Sequence, residues 1–80
     1  MSVSVLLFAS YADAFGTREL QVPLVPPCPV HALVDAMRAM PGGDRLPARV
    51  LVAVNHRLVD ASMAVQPGDE VALIPPVAGG

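Results

Sequence analysis

A chain of 80 residues with nine prolines, one cysteine, no lysine and a formal net charge of -2 has room for one small domain and no second. Its hydrophobic fraction of 54% against 15% charged residues excludes intrinsic disorder, and with two Phe and one Tyr the core must be built from many small aliphatics. The positive charges Arg18, Arg38, Arg45, Arg49 and Arg57 stand singly, whereas nucleic-acid binders cluster theirs on one face, so no nucleic-acid partner is expected.

The first element is a strand. Val3, Val5 and Leu7 alternate with Ser4, Leu6 and Phe8 at the period of a pleated chain. The apolar run ends at Ala9, too short to span a membrane, and it has neither the basic start nor the cleavage site of a signal peptide. The mature chain is therefore expected to begin near Met1 and to work in the cytoplasm. Ser10 stands where a helix N-cap would, and Tyr11–Phe15 followed by Gly16 predicts one or two helical turns closed by a left-handed glycine. Leu20, Val22 and Leu24 repeat at period two. They predict a second strand, antiparallel to the first because the connection is short, and pushed to a sheet edge by Pro23.

Pro26, Pro27 and Pro29 mark a break before the one long helix. Val30, Leu33, Val34, Met37 and Met40 form an apolar stripe at helical spacing, with His31, Asp35 and Arg38 off it. Pro29 suits the first helical position, and Pro41-Gly42-Gly43 ends the element. Arg49–Val54 is apolar on both faces and predicts an interior strand. Asn55-His56-Arg57 reads as a turn and Leu58-Val59 as a very short strand. In Gln66-Pro67-Gly68-Asp69, Pro and Gly suit the central positions of a type II turn, and Glu70–Pro75 is the last strand. The order predicts an α+β domain over residues 1–75, with a mixed sheet of four to five strands and one main helix, and an extended tail over 76–80. A single long helix covers one sheet face. The other would carry Leu6 and Phe8 beside Ala72 and Ile74, and an apolar patch on an open sheet face marks a partner site.

Little in the chain suggests side-chain catalysis. His31 and His56 have no acidic pair or second cysteine at metal-ligand spacing, so no metal site is expected. Ser10 and Ser62 lack the setting of an activated nucleophile. Cys28 has no disulfide partner, which suits a reducing compartment, and it reads as a small residue in an N-cap-like position rather than an activated thiol. Gly42-Gly43 is an isolated pair that ends a helix, not a phosphate loop. The remaining candidate is the C-terminus. Pro75-Pro76 favours an extended chain, and the residues from Pro75 to Gly80 reach up to ~20 Å at ~3.3–3.6 Å each, enough to thread a terminal carboxylate into another protein. Gly79-Gly80 ends that reach without side chains.

The segment Leu51-Val-Ala-Val-Asn55, the turn Pro67-Gly-Asp69 and the ending Glu70-Val-Ala-Leu-Ile-Pro-Pro-Val-Ala-Gly-Gly80 closely resemble the molybdopterin synthase small-subunit family of ubiquitin-like β-grasp sulfur carriers. Leu7-Phe-Ala9 and Phe15-Gly16 look like that family's first strand and first turn. The resemblance implies a β-grasp fold with a flexible C-terminal tail. It implies that Gly80 is adenylated with ATP by a ubiquitin-activating-like adenylyltransferase and converted, with a sulfur donor, to a thiocarboxylate. Gly79 would keep the approach free of a Cβ, and no cofactor would be bound. It further implies a heterotetramer with the large subunit, which would hold the catalytic residues and pass the sulfur to cyclic pyranopterin monophosphate. Partner contacts would come from Phe8, Leu58 and Ile74 and from Pro75, Pro76 and Val77 of the tail. The same chemistry serving thiamine or tRNA thiolation, and an inert β-grasp binding module, stand as alternatives. Where the family often carries an Arg and a Glu after the first strand, this chain has Tyr11, Ala12 and Asp13, and Cys28 matches no family role. Without lysine the chain has no side chain to receive an isopeptide bond, so conjugation could run only outward from Gly80.

Overall fold

The structure, a computed structural model, describes residues 2–75. Five strands form one sheet. β1 (Val3–Leu6) pairs antiparallel with β2 (Glu19–Val22) and parallel with β7 (Val71–Ile74). β7 pairs antiparallel with β4 (Leu51–Val54), which pairs antiparallel with β5 (Arg57–Val59), giving the order β2-β1-β7-β4-β5. β2 is an edge and β4 is interior, as Pro23 and the doubly apolar Leu51–Val54 segment imply. A second, two-stranded sheet pairs β3 (Cys28–Pro29) with β6 (Ala64–Val65). Residues this few leave no readable alternation, so the sequence predicts a break where β3 lies.

Two helices accompany the sheet, α1 (Ala9–Phe15) and α2 (Val30–Arg38). Val30, Leu33, Val34 and Met37 of α2 are buried against Val3, Val5, Val52, Val54, Val71 and Leu73, the inward positions of β1, β4 and β7, and against Leu7 just beyond β1. Burying a side chain of this size contributes about 1.5–3 kcal/mol, so this layer is the main source of stability. Met40 packs at its margin beyond the last helical residue.

Local expectations are corrected at three places. The N-cap of α1 is Phe8 rather than Ser10, and no side chain caps the helix there. Gly16 closes α1 in the left-handed conformation, with its N–H donating to the Ala12 carbonyl at 2.8 Å. Pro29 is the N-cap of α2 rather than its first helical residue, because its φ/ψ are extended while it pairs in β3. Gly42-Gly43 does more than end a helix. The 3₁₀ turn Gly43–Arg45 follows it, and a Cβ on Gly42 would collide with the Ala14 carbonyl while one on Gly43 would collide with that of Met37. Glycine is needed here because two backbones meet. The Arg38 guanidinium fastens the next loop, donating to the carbonyls of Leu46, Pro47 and Ala48 at 3.2, 2.6 and 3.0 Å.

Candidate functional site

Strand pairing sets one row of side chains across the face away from α2. Leu6 of β1 lies opposite Ala72 of β7, Ala72 opposite Ala53 of β4, and Ala53 opposite Leu58 of β5. Ile74 and Leu51 form the neighbouring pair on the same face. Small alanines at the centre and larger side chains around them leave a shallow depression of about 410 Å³, lined by Leu6, Phe8, Ala53, Leu58, Ala72 and Ile74, with His56 and Glu70 at its rim. Phe8 is 48% exposed, Leu51 46% and Leu58 65%, a cluster of uncovered apolar side chains of the kind that marks a docking surface. Phe8, Leu58 and Ile74, expected from the sequence to share a face, are brought together here.

The far rim is built by two turns that hold one another. Asn55 and His56 both have positive φ (52° and 67°), the backbone of a two-residue hairpin loop, and Arg57 already belongs to β5. In the other turn Gly68 has φ 86°, and the Asp69 N–H donates to the Gln66 carbonyl at 3.1 Å, as a type II turn requires. Asn55 Nδ2 donates to Asp69 Oδ1 at 3.0 Å, and the Glu70 N–H donates to Asn55 Oδ1 at 2.9 Å. The Gln66 N–H donates to the second Asp69 oxygen at 2.8 Å. That bond, and then the Asn55 amide, hold the Asp69 carboxyl below the usual carboxylate range. The bridge carries Glu70 to within 2.6 Å of His56, its Oε2 facing the imidazole Nε2.

The other candidates do not assemble. His31 lies exposed on α2, and Cys28 is buried in β3. Ser62 donates its N–H and hydroxyl to Asp60, whose carboxyl is lowered chiefly by that hydroxyl. Tyr11 is buried in the core, and burial raises its phenol above the ordinary value against a smaller opposing effect of Arg38. Among the described residues no three His, Cys, Asp or Glu side chains gather as a metal site would need, and no helix is long and apolar enough to cross a membrane. Pro75 directly follows β7 and is half-buried. Pro76, Val77, Gly79 and Gly80 lie outside the described residues. Leu51 and Ala53 are not among the contact residues expected from the sequence. Their alternation with Val52 and Val54 is visible in the sequence, but only the register with β7 shows which face they occupy.

Residues 5–80 match the model of the ThiS family. The chain is 33% identical over 84 residues to the human (Homo sapiens) molybdopterin synthase sulfur carrier subunit, covering 98% of this chain and 93% of that protein. SAMP1 of Haloferax volcanii superposes with a TM-score of 0.79 at 29% identity over all of both chains. A putative molybdopterin converting factor subunit 1 from Pyrococcus furiosus gives 0.80 at 26% identity, covering 96% of this chain and 99% of the other. The architecture is thus the mixed-sheet β-grasp expected from the sequence.

Proposed function

This chain belongs to the ThiS family and is a small β-grasp sulfur carrier, and from that premise we propose that it carries sulfur as a thiocarboxylate on Gly80. The observation that carries the reading is that the family match runs through Gly79-Gly80. In this reading residues 1–75 are the docking domain and residues 76–80 the reactive extension. An oxygen of the Gly80 carboxylate attacks the α-phosphorus of ATP on an adenylating enzyme, and pyrophosphate leaves. Sulfide equivalents from a sulfur donor then attack the acyl carbon, AMP departs, and the thiocarboxylate remains. The mixed anhydride is needed because a free carboxylate is a poor acyl donor. Gly79 and Gly80 let the chain enter a narrow channel, and Pro75, Pro76 and Val77 line its approach. The depression around Phe8, Leu58 and Ile74 docks the partners, which supply the catalytic side chains.

The reading supported best is the thiocarboxylate chemistry itself, with thiamine or tRNA thiolation among the acceptors it could serve. A second reading is favoured by the likeness to the human molybdopterin synthase sulfur carrier subunit. In it the chain pairs with a large subunit in a cytoplasmic heterotetramer and gives its sulfur to cyclic pyranopterin monophosphate. The test is intact-mass measurement after incubation with ATP, the adenylating enzyme and a sulfur source. A gain equal to replacing one oxygen by sulfur is expected. An unchanged mass beside a control carrier that the same enzyme does convert would sink the proposal. Complementation of strains lacking each carrier separates the acceptors.

A further inference from the structure

Phe8 is a ridge between two hollows. On its other side lies a second depression of about 430 Å³, lined by Leu6, Leu7, Phe8, Ala9, Ala12 and Arg18. The two hollows share Leu6 and Phe8 as walls, so a partner seated on the first also meets the second. Their charges differ in kind. Glu70 at the first is already matched by His56. Arg18 at the second is exposed, and among the described residues its side chain makes no ion pair or hydrogen bond. The nearest acid in sequence, Glu19, pairs with Leu6 in the β1–β2 register and shares its face, but it is not among the residues lining the hollow and makes no ion pair with Arg18. The base of Arg18 is held in place, since the Leu7 N–H donates to its carbonyl at 2.8 Å. An exposed guanidinium with unused donors, on an anchored stretch of backbone beside an apolar hollow, suits a carboxylate, which it can bind through two parallel hydrogen bonds.

We propose that this second hollow is part of the docking surface, where Arg18 receives a carboxylate of the adenylating enzyme while an apolar neighbour of that carboxylate packs beside Phe8 and Ala12. The inference rests on the sulfur-carrier reading. The adenylating enzyme is the occupant because every acceptor version of that reading requires Gly80 to be activated first.

The experiment measures ATP-pyrophosphate exchange by the adenylating enzyme of the same genome, with the full chain varied, at low and raised ionic strength. At low salt Arg18→Glu lowers kcat/KM on the order of tenfold, through KM, because an edge charge acts mainly on encounter. Arg18→Lys keeps most of the activity. Raising the salt erodes the wild-type advantage over Arg18→Glu. Arg45→Glu makes the same charge change in the exposed 3₁₀ turn Gly43–Arg45, away from both hollows, and it keeps the wild-type value. Equal kcat/KM for wild type and Arg18→Glu, or an equal loss in Arg45→Glu, overturns the inference and leaves the carrier reading standing. Absence of exchange with the wild-type chain overturns both.

Discussion

The two faces of the sheet are made by the same strands, one residue apart, yet they are different materials. On the α2 side Val5, Leu73 and Val71 are fully buried. On the other side Leu58 and Phe8 stand largely in water, around alanines that are covered only because their neighbours are larger. Hydrophobicity serves folding on one face and, in the proposed reading, recognition on the other. Adjacent residues such as Leu73 and Ile74 therefore carry unrelated constraints.

That contrast can be broken experimentally, most severely at the covered face. Leu73→Ala removes a buried side chain from the central strand and is expected to cost about 2–5 kcal/mol, read as a lower urea midpoint. A loss below about 1 kcal/mol would mean that the two faces are not distinct in stability. Next comes Gly43→Ala, where the added methyl meets the Met37 carbonyl and the turn must shift. A cost of about 1–3 kcal/mol is expected in thermal melts, without loss of docking in binding assays.

A smaller effect tests the rim. The Asp69 pKa is lowered in the folded state, so its contribution is complete above the unfolded value and is lost as pH falls through the folded one. Below about pH 4 the wild-type chain should lose stability more steeply than Asp69→Asn in paired denaturation curves at low and neutral pH. A residual slope is expected from Asp60, which is lowered too. Parallel curves would show that the two-turn bridge is indifferent to this charge. The smallest change in stability, within about 0.5 kcal/mol, is expected for Leu58→Asp on the open face. Its consequence should appear in the adenylation assay as a raised KM, and an unchanged KM would remove Leu58 from the proposed docking surface.

Much of this contrast is legible in the residues. The alternation of Val3, Val5 and Leu7 with Leu6 and Phe8 separates the faces of β1, and the spacing of Val30, Leu33, Val34 and Met37 identifies what covers one of them. Other features depend on meetings between distant segments. β3 and β6 exist only as each other's partners, so neither carries a pattern of its own. Gly42 and Gly43 look like an ordinary helix stop until Ala14 and Met37 are seen against them. For the site, Phe8, Leu58 and Ile74 are reachable from strand parity and resemblance. Leu51, Ala53 and the Asn55–Asp69 bridge require the register. Arg18 escapes altogether, since a single cation carries no sequence signal until the hollow beside it is known.

The central position of β7 has a consequence for synthesis. The strand joins β1 to β4, so the two halves of the main sheet share no pairing until Val71–Ile74 has left the ribosome. A nascent chain interrupted before that point holds a β1–β2 hairpin and a β4–β5 hairpin with no strand between them. Truncated products therefore lack the row from Leu6 through Ala72 to Ala53 that spans the open face, and the closing of that face is among the last events of synthesis.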